Sequence, residues 1–377
     1  MEKKNDLWEF FKKETVLTIA IILAVISAFF VHPGREYIKY IDWRTLGILL
    51  SLMIVMEGFK GTGFFDEIGA KLLKHTRKLW QLIYVLVFLC FFFSMLITND
   101  VALLTFVPFT VMVLESCDQQ KAMIPTIILQ TVAANLGSMM TPIGNPQNLY
   151  LFGVMECGVG EFMMVLLPYT AITFALLLLS VLLIKNKNAA VSAKEIKKSS
   201  ESQENVAKKN VAYAILFVLA LLVVARLVPY YWLLAAVLIV VAVMDAKTLV
   251  TVDYALIFTF IAFFILIGNL GNMVYVRDTL SKIVESREVY VSVLASQFIS
   301  NVPATLLLSG FTADYRSLLI GVNLGGLGTF IASMASLISY KIYAHRYNDS
   351  KGEYLLKFTL VNVIYLVILM IGYILIG

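Results

Sequence analysis

The sequence predicts an all-α polytopic membrane protein, and three observations predict it. Hydrophobic residues make up 60% of the 377, charged residues only 15%, and the mean hydropathy is +0.85. That balance is foreign to an ordinary soluble domain and usual for a chain that crosses a bilayer several times. Apolar runs recur at spanning length, about 20 residues each. Finally, polar residues interrupt four of the apolar segments, in a pattern that occurs twice along the chain.

The first element follows from the N-terminus. Met1 to Thr15 is polar and basic and leads into the apolar run Val16–Val31. No clear small-residue cleavage site follows, so this run is expected as a retained first span and not as a signal peptide. Further runs are Leu46–Glu57, Phe162–Ile184, Val211–Arg226, Tyr231–Met244, Tyr254–Leu270 and Phe358–Ile376. Met123–Phe152 and Leu318–Tyr340 are long enough to cross but are interrupted. Together they predict about nine crossings.

Two apolar segments resist that reading. Leu79–Glu115 is too long for one crossing and too short for two with a loop, and its middle is the polar Ile97-Thr98-Asn99-Asp100-Val101. Val289–Phe311 has the same form, around Ile299-Ser300-Asn301-Val302-Pro303. Both are expected as re-entrant hairpins with polar tips.

The interrupted span Met123–Phe152 carries Asn135-Leu136-Gly137 and then Thr141-Pro142-Ile143-Gly144-Asn145-Pro146. Proline lacks an amide hydrogen and clashes with the preceding turn, so a helix should stop near Met140. Asn145-Pro146 reads as a restart, with Asn as N-cap and Pro at the first helical position. In hydrocarbon, freed backbone groups are tolerated only where they are buried or line a cavity. A broken membrane helix is therefore a candidate binding site.

Charge sets the orientation. With the N-terminus in the cytoplasm, 22 of the 30 Lys and Arg fall on the cytoplasmic side and 8 outside. The positive-inside rule favours that topology, with the C-terminus outside. The polar, Lys- and Ser-rich stretch 185–210 is expected as a disordered cytoplasmic linker. It divides the chain into residues 1–184 and 211–377, and the two parts match. Asp42-Trp43 answers Asp253-Tyr254, Thr98-Asn99 answers Ser300-Asn301, and Asn135-Leu136-Gly137 answers Asn323-Leu324-Gly325. In that register Thr141 meets Thr329 and Asn145 meets Ser333. By the crossing count the halves face opposite ways. Two inverted repeats with discontinuous helices are the signature of secondary transporters, with the site where the repeats meet.

The tips and breaks supply the chemistry. Helix C-termini present carbonyls and N-termini present amides. Carbonyls of Thr98, Thr141 and Ser300, with nearby hydroxyls and carboxamides, suit a small hard cation such as Na⁺. The expected cation ligands are Thr98, Asn99, Asp100, Thr141, Asn145, Ser300, Asn301 and Thr329. Amides after Asn99, Asn145 and Asn301 suit an anionic or strongly polar solute. The expected substrate set is Thr98, Asn99, Gly144, Asn145, Ser300, Asn301, Thr305 and Ser333. Asp100 is a carboxylate at membrane depth, which costs on the order of 3 kcal/mol and usually faces an interior path. It fits a Na⁺ ligand, a proton site, or an N-cap of the limb beginning at Val101. Asn135 and Asn323 fit either the site or a hydrogen bond between packed helices.

Other classes fit less well. The positive residues form no stripe with interleaved aromatics, so no nucleic-acid partner is expected. Cys90, Cys117 and Cys157 have no metal-ligand spacing and imply no disulfide framework. No hydrolase motif is present, and His32, His75 and His345 all fall in expected loops.

The two tips and the Asn135–Asn148 stretch resemble those of the ion transporter superfamily, which holds the arsenite permeases, the P-protein-like sodium–proton antiporters and the divalent-anion:sodium symporters. The resemblance, to a citrate-transporter-like domain, covers nearly the whole chain. In the symporter branch each tip carries Ser-Asn-Thr. The resemblance carries contact with substrate carboxylates and Na⁺ to Thr98 and Asn99, and to Ser300 and Asn301. The third position differs, being Asp100 in one tip and Val302 in the other, with Thr305 nearby. Asn-Asp is closer to the arsenite-permease side. The family implies an elevator-type motion and a homodimer.

The expected function is a bacterial-type inner-membrane secondary transporter of a small anion or oxyanion, coupled to Na⁺ or H⁺. A sodium–proton antiporter using Asp100 and an uncoupled channel are the alternatives.

Overall fold

A computed structural model describes residues 14–73, 76–184, 189 and 203–376. The N-terminal stretch before Glu14, His75 and most of the expected linker lie outside the described residues. Every regular element among the described residues is helical. In order these are α1 (Thr15–Phe30), α2 (Glu36–Tyr40), α3 (Trp43–Gly61), α4 (Phe64–Leu73), α5 (Leu79–Phe93), α6 (Asn99–Ser116), α7 (Met123–Ser138), α8 (Pro146–Met155) and α9 (Val159–Leu182). Then follow α10 (Gln203–Val224), α11 (Tyr230–Met244), α12 (Ala246–Thr251), α13 (Tyr254–Asn272), α14 (Val274–Val284), α15 (Glu288–Ile299), α16 (Asn301–Ser309), α17 (Tyr315–Leu324), α18 (Met334–Arg346) and α19 (Lys351–Ile376).

Five of the described helical stretches are long and apolar enough to cross a membrane: Asn99–Ser116, Val159–Leu182, Asn205–Val224, Tyr254–Asn272 and Lys351–Ile376. The sequence count of nine is wider than this set because α3 carries Arg44, Glu57 and Lys60 within its 19 residues and other expected spans are short. Helices α1 and α11 hold 16 and 15 residues. At about 1.5 Å per residue each is shorter than a hydrocarbon core of about 30 Å. The interrupted segments are split into two pieces each. Sequence reading also missed α2, α4, α12 and α14, which are short and sit in its loops. Helix α10 begins at Gln203, inside the stretch expected to be linker. His345 lies in the last turn of α18 and not in a loop.

Local chemistry explains where the helices start. Asp42 caps α3 by accepting from the Thr45 amide at 3.0 Å, and Asp253 caps α13 by accepting from the Ala255 amide at 3.0 Å. The two caps have nearly the same backbone, φ −79°, ψ 87° and φ −77°, ψ 88°. An Asp N-cap satisfies an orphan amide and complements the helix dipole.

Among the described residues nine α-helices precede α10 and nine follow it. Their packing exchanges partners. Helix α1 packs on α13 while α11 packs on α3; α6 packs on α18 while α16 packs on α8; α7 packs on α18 while α17 packs on α8. Helices α9 and α19 pack on each other. Close approach inside each half relies on small residues. A Cβ on Gly137 of α7 would fall 2.3 Å from the Phe91 carbonyl oxygen of α5, so only glycine fits there.

Candidate functional site

Four helix starts define the site, and each has a local cause. Helix α8 starts where Asn145 accepts from the Asn148 amide at 2.9 Å, with Pro146 at the first helical position. Helix α7 has already ended at Ser138, so the chain is non-helical between them, as the two prolines require. Helix α18 starts at Ser333 after the non-helical stretch that follows α17. Helix α6 starts at Thr98, whose hydroxyl accepts from the Val101 amide at 3.5 Å. Helix α16 starts at Ser300, the single residue between α15 and α16. Ser300 sits at φ +71°, ψ 154°, a conformation that L residues rarely adopt. Thr98, at φ −66°, carries no such strain because a wider turn precedes it.

Each tip is tied to a break in the same way. The Asn99 amide donates to the Gly144 carbonyl at 3.0 Å, and the Asn301 amide donates to the Ala332 carbonyl at 2.9 Å. Gly144 and Ala332 each immediately precede the N-cap of the restarting helix. A Cβ on Gly144 would fall 2.0 Å from the Ser138 carbonyl oxygen, so the turn requires glycine. The Thr141 hydroxyl donates to the Met95 carbonyl at 2.5 Å, and the Thr329 hydroxyl donates to the Gln297 carbonyl at 3.1 Å. Both hydroxyls thus brace a break against the first limb of a tip.

The two halves meet through Asn135 and Asn323. The Asn135 Oδ1 accepts from the Ser333 hydroxyl at 3.0 Å and from the Asn99 carboxamide at 3.2 Å. Its Nδ2 reaches Ser336 Oγ at 3.5 Å. In the matching position, Asn323 Oδ1 accepts from the Asn145 carboxamide at 3.2 Å, and its Nδ2 donates to Asn148 Oδ1 at 2.7 Å. Each asparagine accepts from the N-cap of the other half and donates to the residue three positions beyond that cap. All six of these residues are buried, where an unmade hydrogen bond is expensive. Sequence reading had named Asn135 and Asn323 without placing them among the site residues.

The expected site residues fall as follows. Thr98, Asn99, Gly144, Asn145, Ser300, Asn301 and Ser333 lie at the tips and breaks just described. Asn99 and Asn301 converge through Asn135 Oδ1 and the Ala332–Ser333 turn. The carbonyls of Thr98 and Ser300 already accept from the Ala102 and Ala304 amides, each at 3.0 Å, as first acceptors of α6 and α16. Thr305 is buried and its hydroxyl donates to the Asn301 carbonyl at 2.7 Å. Thr329 is exposed, and its amide donates to Gln297 Oε1 at 2.8 Å. Asp100 is not the cap of α6, because Thr98 holds that position; it stands in the first turn.

Asp100 Oδ1 is buried and has no hydrogen-bond partner among the described residues, and the same holds for Thr105 Oγ1 and Gln147 Oε1. Gln147 follows the Asn145-Pro146 restart and was absent from the expected set. Asp253, the cap of α13, acts on Asp100 as a second negative charge. A buried carboxylate oxygen without a partner is costly unless the group is paired or protonated. Hard oxygen donors without hydrogens of their own, such as Asp100 Oδ1 and Gln147 Oε1, fit a small cation.

Residues 7–315 match the family model described as a citrate transporter. An uncharacterized transporter of Methanocaldococcus jannaschii is 32% identical over 94% of both chains. The inner membrane protein YbiR of Escherichia coli is 30% identical over 86% of both chains. A silicon efflux transporter of Oryza sativa is 29% identical over 40% of this chain and 30% of its own. With its long apolar helices and its match over most of its length, this chain is a multi-pass membrane transporter and belongs to the citrate transporter family.

Proposed function

We propose that the protein is a secondary active transporter that moves a small carboxylate or oxyanion, coupled to Na⁺ or H⁺. The observation that carries this reading is the reciprocal bonding of Asn135 with Ser333 and of Asn323 with Asn145. Two broken segments, one from each half, are thereby joined at one buried place. The exchange of packing partners between the halves supports two inverted repeats, 1–184 and 211–377, with tips that act as re-entrant hairpins. Helix starts at Asn99, Asn145, Asn301 and Ser333 aim partial positive charge at a solute. The silicon efflux relative supports a small polar cargo.

The crossing scheme gains support from contacts between distant segments. Lys209 pairs with Asp245 at 3.3 Å, and Arg346 with Glu115 at 2.8 Å; the scheme puts all four residues on the cytoplasmic side. Arg316 pairs with Glu161, and both belong outside. Helices α1, α3, α11 and α13 pack among themselves, and α6 to α8 pack with α16 to α18. Two such bodies suit an elevator motion of one past the other. The E. coli relative, named as an inner membrane protein, supports an inner-membrane location, and the charge count favours the N-terminus inside and the C-terminus outside. A homodimer follows from the family resemblance.

Cation binding to Thr98, Asn99, Asp100 and the Thr141 and Asn145 break would order the first tip, and Ser300, Asn301 and Thr329 offer the matching set. Substrate and cation then raise each other's affinity by the same factor. The test is uptake into proteoliposomes of labelled citrate and of labelled phosphate, under an imposed Na⁺ or pH gradient. Uptake of either that follows one gradient supports the reading; uptake indifferent to both overturns the coupling. A second reading, sodium–proton antiport, is favoured by one observation, the unpartnered Asp100 Oδ1. Na⁺ flux driven by a pH gradient in the absence of any anion would select it.

A further inference from the structure

The end of α8 remote from Asn145 carries a cluster of charge that the site above does not use. Arg44, at the start of α3, is half-buried and makes no hydrogen bond or ion pair among the described residues. Arg226, in the turn between α10 and α11, donates from Nη2 to the Phe152 carbonyl at 3.0 Å and lies over the Phe152 ring at 5.1 Å from its centroid. Arg44 Nη1 lies 3.6 Å from the position a Cβ would take on the next residue, Gly153. The two guanidiniums are close enough to repel each other.

Asp42 acts on Arg44 as the negative charge that opposes this repulsion. Asp42 gives Oδ1 to the Thr45 amide at 3.0 Å and Oδ2 to the Thr45 hydroxyl at 2.5 Å. Glu161 is bound to Arg316. Positive charge is therefore in excess around Phe152 and Gly153. A guanidinium stays charged at any physiological pH and matches the planar fork of a carboxylate or oxyanion. Two guanidiniums face one carboxylate, Asp42, and Arg44 has no hydrogen-bond acceptor among the described residues, so an anion would complete the set. Phe152 and Gly153 stand late in α8, so about 12 Å separates this cluster from Asn145.

We propose that Arg44 and Arg226 form an anion-collecting site at the mouth of the pathway, taking a carboxylate or oxyanion before it reaches Asn145. The proposal rests on the anion-transport reading, but its test does not require transport. Like charges that gather a ligand raise its local concentration and make capture depend on salt.

The experiment is arginine modification with phenylglyoxal on the full chain in detergent, read residue by residue by mass spectrometry. Citrate and inorganic phosphate are the probes, with chloride at equal ionic strength as the control. Citrate or phosphate should slow modification of Arg44 and Arg226 by about tenfold, the factor expected of a charge-assisted contact. Protection should persist in Asn145→Ala, which disables the central site, and protection of Arg44 should be lost in Arg226→Gln. Arg226 is exposed, so that variant keeps the fold even if Arg44→Gln does not. Equal labelling of Arg44 with and without either anion overturns the proposal. So does protection unchanged in Arg226→Gln, because the two would not share one ligand. Protection only in phosphatidylglycerol vesicles would make the pair a lipid-headgroup anchor and overturn it as well. Protection without any gradient-driven uptake would instead sink the transport reading and leave this site standing.

Discussion

The carboxamide of Asn145 donates to that of Asn323 at 3.2 Å, across 178 positions of sequence. Asn145 is the cap of a restarting helix, and Asn323 stands in the helix that ends before the other break. The bond therefore fixes one break to the other at a buried point. Replacing Asn323 by Ala strands Asn148 Oδ1 and leaves Asn145 Nδ2 with Ser138 Oγ alone. A buried group left without its partner costs about 1–3 kcal/mol. Asn323→Ala should lower the thermal midpoint in detergent clearly, and so should Asn145→Ala, which also removes the cap on the Asn148 amide. The double variant should cost less than the sum, because the two share an interaction. A strictly additive pair would mean that the bond is not formed in solution.

The unpartnered Asp100 Oδ1 gives a second expectation. A charged carboxylate with a buried, unpartnered oxygen opposes folding until a cation or a proton joins it. Asp100→Asn removes the charge and keeps the shape. Wild-type protein should gain thermal stability as Na⁺ replaces choline at constant ionic strength, following the linkage rule for a native-state ligand. Asp100→Asn should be at least as stable in choline and should not respond to Na⁺. A Na⁺ response retained in Asp100→Asn would take the residue out of the cation site.

These two expectations differ in how far sequence could reach them. The restart at Asn145-Pro146 was legible because capping and the missing proline amide are local chemistry. The tips at Thr98 and Ser300 were legible because polar residues interrupt long apolar runs. The bonds of Asn135 to Ser333 and of Asn323 to Asn145 were not, because a carboxamide in a span carries no mark of its partner. Nor was the brace of Gln297, which donates to the Gly325 and Leu327 carbonyls at 3.1 and 3.0 Å and holds the second break. Helices α4 and α14 escaped because they are short and mixed in polarity, so the search for spans passed over them. Asp100 was read as a possible cap because an acid beside a helix start fits that pattern, yet Thr98 sits where the backbone turns.

Strain at the second tip gives a third. Ser300 holds φ +71° as the single residue joining α15 to α16. Strain of this kind costs on the order of 1–3 kcal/mol in a residue with a Cβ, and glycine avoids it. Ser300→Gly should raise thermal stability by about 1 kcal/mol, while Ser300→Ala, which keeps the Cβ, should not. Both variants lose the hydroxyl, so both should lose solute affinity if that hydroxyl touches the solute. A variant pair that moves together in stability would place the cause in the hydroxyl and not in the backbone.

The cluster that joins α6 to the end of α18 gives a fourth, in alkaline solution. Tyr347 donates to Glu115 Oε1 at 2.7 Å, and Arg346 grips the same carboxylate at 2.8 Å. Burial first, and then the hydrogen bond and charge of Glu115, push the Tyr347 phenol up to about 12. A folded-state value above the unfolded one of about 10 means that the folded protein holds its proton longer. The contribution is complete below the unfolded value and fades as pH climbs to the folded one. Thermal stability should therefore fall between about pH 10 and 12 by more in wild type than in Tyr347→Phe, which has no phenol to titrate. At neutral pH the same variant should be somewhat less stable, because the Glu115 contact is gone. Identical alkaline slopes in the two proteins would show that Tyr347 is not held by Glu115, and would leave Arg346 alone as the tie between α18 and α6.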